Sequence, residues 1–568
     1  MKQLHRYSCL VALACMTVVA AHARTYTITV TSHRGNLTQY LRETCKMATR
    51  NDTVVLNFGK GEFTIDGTVE FKCSAIIKGS GRDQSCIVLD KGADKSGFRA
   101  FTDDTYLMFH GSVQQPISVS ISDLTLRLKE HKGIWWNESN LSAAKLAVKI
   151  YHANLVDIRR VGSYMSNAVI TNFDFRVCSN VTVENCIVSN LNNCMAGGNL
   201  WSRGEQHNIN IRNNKFYKYG NDELIGVYGN AVDATSNIKG NASRTDIIIE
   251  DNEIHYGYDG NEKDKDTTVA NHTLITLQTA DNQDNLTITT RNFHVKNNKI
   301  FINDECHRCF LVLLSKSDRY QGISFEGNQI IHSDLHSSNR YYREDFDIRD
   351  YSSNNDSIHI INNTITNKNS VLNNHNTVGY SFLLLRGGTI DMSGNKIVNT
   401  VTADPFTGKE NGVQLVWCAA EGGTVTMRNN VCRGIKCIAT VGAGDGTKQF
   451  KLKALNNYFS GDTRIYCSKI EQLDLNFTGN TFKSNGMNFF LQEFAQNGSV
   501  IFNNNDVTVK SGDGRFMTHW SNASTDSMKF TRLEVKGNVF RGVKGEQDMF
   551  KKITNVKKRS ISSNKYVR

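Results

Sequence analysis

Short apolar-polar alternations run along the whole chain, and they stop at asparagine or glycine with unusual regularity. One motif recurs, apolar–x–x–Asn–x–apolar. It reads Ile211-Arg-Asn-Asn214-Lys-Phe216, Ile249-Glu-Asp-Asn252-Glu-Ile254 and Val295-Lys-Asn-Asn298-Lys-Ile300. It continues through Phe325-Glu-Gly-Asn328-Gln-Ile330, Ile360-Ile-Asn-Asn363-Thr-Ile365 and Met392-Ser-Gly-Asn395-Lys-Ile397. Further copies at Asn430, Asn457, Asn480, Asn505, Asn538 and Asn564 lie 27, 23, 25, 33 and 26 residues apart. A second apolar run belongs to each unit: Leu224–Tyr228, Leu274–Leu277, Phe310–Leu314, Phe346–Ile348, Phe382–Leu385, Val413–Trp417 and Phe489–Leu491.

A bare turn of about 23 residues suits a coil of three short strands and three corners. The recurring asparagine is read as the corner, because it tolerates left-handed backbone and bonds its own local backbone. Coils stack about 4.8 Å apart, so each asparagine meets its copy above and below. Leucine-rich horseshoes need an LxxLxL consensus and propellers a period of roughly 40–50 residues; neither fits. Upstream, Leu37–Ala48 has the apolar spacing of an amphipathic helix. It is followed by Asp52-Thr-Val-Val-Leu, Gly61-Glu-Phe-Thr-Ile-Asp-Gly and Ala75-Ile-Ile-Lys-Gly-Ser-Gly-Arg-Asp83. With these residues the chain resembles the right-handed parallel β-helix superfamily of pectate lyases, polygalacturonases and phage tailspikes. The resemblance covers residues 24–568 and implies an all-β solenoid with an N-terminal capping helix. The expected size is about 16 coils, roughly 75 Å long.

The expected organisation is a signal peptide at 1–23, a cap and first coils at 24–112, and the β-helix at 113–568, continuous with the preceding part. Lys2 and Arg6 precede the apolar stretch Leu10–Ala20, and Ala21-His22-Ala23 fits a cleavage site. Export to the periplasm, cell surface or medium follows. No later apolar run is long enough to span a bilayer. Only two prolines occur in 568 residues, which speaks against a string of linked domains. The formal charge of +11 becomes +9 without Lys2 and Arg6. That balance favours anionic partners, and an exported protein meets acidic polysaccharide rather than nucleic acid. Of 14 cysteines, Cys9 and Cys15 leave with the leader. The rest include the close sets Cys73/Cys86, Cys178/Cys186/Cys194, Cys306/Cys309 and Cys418/Cys432/Cys437. Export permits disulfides, and buried thiols in a regular core are the equal alternative. The chain is also expected to end without a large cap, on a basic stretch from Lys551 that would discourage edge-to-edge stacking.

The superfamily resemblance implies a polysaccharide groove along one strand of each coil. The polygalacturonase pattern of NTD, DD and GHG is absent, and so is the RxPxxR of pectate lyases. Two constellations remain. In Gly198-Asn-Leu-Trp-Ser-Arg203, strand alternation with Leu200 and Ser202 inside points Asn199, Trp201 and Arg203 outward. Asp222 and Glu223 lie one coil later. In Glu344-Asp-Phe-Asp-Ile-Arg-Asp350, Phe346 and Ile348 would face the core, with Asp345, Asp347 and Arg349 outward. The outward leucines Leu311 and Leu383 suggest a partly covered surface. The catalytic candidates are Asp222, Glu223, Arg203, Asp347 and Arg349. Asn199, Trp201, Tyr228 and Arg386 are candidates for substrate binding. Arginine clamps a carboxylate, tryptophan offers a face to a sugar, and paired carboxylates move protons or hold calcium. Lyase, hydrolase and binding-only readings remain open. The 255–272 insert would overhang the groove, and Asn303-Asp304-Glu305 repeats the Asn221-Asp222-Glu223 triplet, as a turn element also would.

Overall fold

The computed structural model describes residues 23–31, 37–90, 105–129, 145–166, 169–191, 198–218, 223–229, 242–256, 273–278, 287–302, 308–332, 343–351, 356–368, 380–400, 413–442, 447–467, 470–484, 488–492, 495–510, 515–518, 530–550 and 556–567. Every strand pairing among them is parallel, and each strand bonds its counterpart one coil away: Gln206–Arg212 pairs Ala242–Glu250, which pairs Ile288–Lys296. The result is a parallel β-helix, right-handed as parallel crossovers are.

Among the described residues, one face forms an 18-stranded sheet with one strand per coil. The coil count therefore exceeds the expected number of about sixteen. The other two faces merge into a 31-stranded sheet. They join at Val431–Val441, a single strand that pairs with Lys396–Asn399 and Val413–Cys418 on one side. Inside, one continuous apolar cluster runs from Val30 to Phe550. Phenylalanines stack through it at coil spacing, as in Phe310–Phe346 at 4.9 Å and Phe346–Phe382 at 5.1 Å between ring centroids.

The asparagine corner is a ladder. Asn363 Nδ2 donates to Asn395 Oδ1 at 3.0 Å and to the Phe325 carbonyl at 2.9 Å, and its backbone N–H donates to the same Asn395 oxygen at 2.9 Å. The pattern repeats from Asn214 to Asn564. Cys186 extends it one coil earlier: its N–H donates to Asn214 Oδ1, and its sulfur accepts from Val161 N–H. The left-handed residue is the one before the ladder asparagine, such as Asn213, Asn297 or Asn362, each with φ between 55° and 56°. The conformational burden expected of the buried asparagine thus falls on its exposed neighbour, which leaves the buried amide free to bond along the stack.

The helix Thr38–Met47 turns Leu41, Thr44 and Cys45 onto the N-terminal end of the core. Leu37 N–H donates to Thr64 O at 2.9 Å, and Arg42 Nε to Thr68 O at 2.7 Å. The Gly-Ser-Gly turn at 79–81 is steric: a Cβ on Gly79 would stand 2.3 Å from the Asp123 carbonyl. At the other end, Met549 and Phe550 of the short helix Glu546–Phe550 are buried. Lys557, Lys558 and Arg559 are exposed on the last long strand, Val556–Ser562.

Candidate functional site

The face that carries both constellations is built from the strands Lys145–Tyr151, Val169–Arg176, Gly198–Arg203, Ile225–Tyr228, Thr273–Gln278, Arg308–Leu314, Arg343–Asp350 and Tyr380–Leu385. Their register sets outward side chains in columns. One column reads Asp174, Trp201, Gly226, Thr276, Leu311, Asp347, Leu384. Trp201 and Asp347 are thus four coils apart in one line, roughly 19 Å. The neighbouring column reads Arg176, Arg203, Tyr228, Gln278, Leu313, Arg349. Arg386 follows, with its N–H bonded to Ile348 O. The first column is mostly buried, whereas Arg176 through Arg386 in the second keep a partial exposure to solvent. Solvent therefore reaches this face along a line with arginines at both ends, Arg176 and Arg203 beside the buried Asp174, and Arg349 and Arg386 beside the buried Asp347.

At the N-terminal end of the line, Asp174 is fully buried and bonds Arg176 Nη2 at 2.9 Å. Arg203 Nε stands 3.8 Å from the same carboxylate. The Arg203 guanidinium lies 4.4 Å from the centre of the Trp201 ring system and 5.1 Å from that of Tyr228. Arg176 and Lys149 flank Tyr151 in the same way, at 5.3 and 4.8 Å. Such stacking holds a guanidinium flat while leaving its edge free to donate. Trp201 is 7% exposed, packs with Leu146 and Tyr228 outside the main core, and its indole N–H has no acceptor among the described residues.

At the other cluster, Arg308 Nε lies 2.7 Å from Asp347 Oδ2 and 3.7 Å from Glu344 Oε2. Arg349 clasps Asp347 through Nε at 3.1 Å and Nη2 at 2.7 Å. Asp347, expected at the surface, is completely buried, and guanidinium groups surround the oxygens that calcium would need. Glu344 is 5% exposed. Burial pushes its carboxyl up to about 7, with Arg308 and Arg386 pulling the other way and the Asp347 charge adding to the rise. The Asp-x-Arg ion pair also recurs elsewhere, on a strand at Asp157/Arg159 and in the turn at Asp462/Arg464. Arg308 and Glu344 set the 347 cluster apart. Sequence alternation passed over both, as it did Asp174 and Arg176.

Several expected positions change. Asn199 is wholly buried and donates to the carbonyls of Val188 and Tyr217 at 2.9 and 3.2 Å. It stacks under Asn172, whose amide does the same for Ser163 and Ser189. It is a corner residue, not a sugar ligand. Asp345 also points inward: it is fully buried, 2.9 Å from His332 Nε2 and 3.3 Å from Cys309 Sγ. The cause is local. Asn199 and Asp345 each precede the first core residue of their strand, Leu200 and Phe346, at a corner where two successive side chains face inward and alternation starts one residue later. For the same reason Leu383 packs in the core and Leu384 faces out. Glu223 is described and 9% exposed, just before Ile225–Tyr228. Asp222, most of the 255–272 insert, the triplet at 303–305, Cys194, Cys306 and residues 1–22 lie outside the described residues. The described cysteines carry free thiols. Burial pushes Cys178 and Cys418 up to about 12, which marks them as core residues and not nucleophiles.

The fold and this face define a right-handed parallel β-helix protein. No protein-family model matches the chain, and no curated protein matches it. Among solved structures, the catalytic domain of a GH87 alpha-1,3-glucanase in complex with tetrasaccharides aligns at 13% identity and a TM-score of 0.30, covering 90% of this chain and 69% of that one. Bacteriophage CBA120 tailspike protein 3 aligns at 11% identity and 0.29, over 94% of this chain and 59% of its own. A polygalacturonase from Erwinia carotovora aligns at 8% and 0.21, over 91% and 96%. No described helix is long and apolar enough to cross a membrane.

Proposed function

We propose that this is an exported protein that binds an acidic polysaccharide along the arginine line and cleaves it by β-elimination at Glu344. One observation carries the reading: on a single strand face, the cations Lys149, Arg176, Arg203, Arg308, Arg349 and Arg386 outnumber the carboxylates Asp174, Glu223, Glu344 and Asp347, with Tyr151, Trp201 and Tyr228 between the cations. A uronate or sulfate chain supplies the missing negative charge and a sugar face for each ring.

The chemistry follows from who holds whom. Asp347 has its oxygens engaged by Arg308 and Arg349, so it is a poor nucleophile or base and serves to fix the arginines. Arg308 and Arg386 would neutralise a uronate carboxylate and acidify the adjacent C–H. Glu344 would take that proton, the C–O bond to the leaving sugar would break as the C=C bond forms, and the proton would pass to the leaving oxygen. A hydrolase with two free carboxylates fits this pairing less well. The test is purified protein against polyuronates, sulfated glycans and neutral glucans, read by ultraviolet absorbance of unsaturated ends together with reducing ends. Unsaturated ends from a polyuronate support the proposal. Reducing ends without unsaturation make it a hydrolase, and binding without either makes the face a recognition surface only.

A further inference from the structure

We propose that Cys309, His332 and Asp345 bind a zinc ion inside the coil, on the opposite side of the strand from Glu344 and Asp347. The ligand atoms of the three residues lie within 4.8 Å of one another, and all three residues are buried. They come from three different strands: Arg308–Leu314, Gln329–His332 and Arg343–Asp350. The column that holds Cys309 and Asp345 is apolar at the flanking levels, with Leu224 and Leu274 on one side and Phe382 and Leu415 on the other, and the buried amides Asn172 and Asn199 stand further along it. At this one level three metal-ligating groups replace the apolar packing.

The Cys309 thiol and the His332 ring converge on the single oxygen Asp345 Oδ1, the convergence that a shared cation would produce. Zn²⁺ with a thiolate, a carboxylate and a neutral imidazole is neutral overall. The donor set of sulfur, nitrogen and oxygen is the one zinc takes, at bond lengths of about 2.0–2.3 Å, so neighbouring ligand atoms sit about 3.3–3.7 Å apart in a tetrahedron. The separations of 2.9 Å from His332 to Asp345 and 3.3 Å from Cys309 to Asp345 need only small outward shifts to admit the ion. Three protein ligands leave a fourth position for water. The site stands independently of any activity on the outer face.

The test loads the full-length protein with Zn²⁺, desalts it and measures metal by mass spectrometry, with Co²⁺ substitution alongside. The expected result is about one zinc per chain and a thiolate-to-cobalt charge-transfer band in the near ultraviolet. Cys309→Ser keeps a hydrogen-bond donor but should lose the band and weaken zinc binding more than about tenfold. Desalted wild type that holds no zinc and shows no cobalt band overturns the proposal, as does Cys309→Ser with undiminished zinc. If that variant fails to fold, the cobalt spectrum of the wild type decides alone.

Discussion

Asn363 and Asn395 are joined twice, since both the side-chain amide and the backbone N–H of Asn363 donate to the one Oδ1 of Asn395. A single oxygen thus satisfies two buried donors, and the Asn363 Oδ1 does the same for Asn328. Replacing Asn363 with alanine removes one amide but strands groups on both neighbouring coils. The expected cost is about 1–3 kcal/mol, seen as a lower melting temperature in calorimetry. Leucine at this position should cost at least as much, because it also crowds the corner. An unchanged melting temperature for both variants would remove the ladder from the account of stability.

Much of the fold was legible because the repeat is written in local chemistry. Asn213-Asn214 or Gly327-Asn328 pairs a left-handed residue with a bonding one, and each copy says the same thing. The cap helix was equally readable from the spacing of Leu37, Leu41 and Cys45. The site was harder. Alternation gives the right face for Trp201, Arg203, Asp347 and Arg349, but it cannot show where a strand leaves a corner. That is why alternation points Asn199 and Asp345 outward while both lie inside. Nor can one sequence show that Arg308 lies beside Asp347, since 39 residues separate them and only the coil register joins them.

Glu344 and Asp347 should respond differently to loss of charge. Glu344→Gln preserves size, and burial already favours the uncharged form of Glu344, so the melting temperature should hold. Turnover on the confirmed substrate should fall about 10²–10⁴-fold, the usual share of a general acid-base group. Asp347→Asn leaves Arg308 and Arg349, which solvent partly reaches, without their counter-charge, which costs about 1–3 kcal/mol. That variant should lose stability and activity together. A Glu344→Gln protein with full turnover would place the chemistry elsewhere on the face.

Trp201 and Arg203 should act on binding. Trp201→Ala removes an apolar face and the platform under the Arg203 guanidinium. A tenfold rise in Kd corresponds to about 1.4 kcal/mol, within reach of one aromatic contact plus a charged hydrogen bond. Arg203→Ala should weaken binding similarly and flatten its salt dependence, because exposed charges are screened over about 10 Å at 0.1 M ionic strength. Calorimetric titration with an anionic oligosaccharide at two salt concentrations reads both effects. Equal affinity for wild type and both variants would take the first cluster out of the binding line.

The last prediction concerns acid stability at Glu534, on the strand Phe530–Lys536 near the C-terminal end. Arg532 first, and then Asn503, holds its carboxyl down to about 2. Asn503 Nδ2 donates to it at 2.8 Å, and Lys536 stands 3.5 Å away. A carboxyl lowered by folding stabilises the native state above its ordinary value near 4.3, and that contribution drains away as pH falls toward 2. The contacts lie at the surface, so the gain is modest, up to about 1 kcal/mol. Glu534→Gln should therefore melt on the order of 1 °C below wild type at neutral pH. The gap should narrow below about pH 4.5 and close near pH 2. A gap that stays constant across that range would mean that Glu534 contributes through packing and not through its charge.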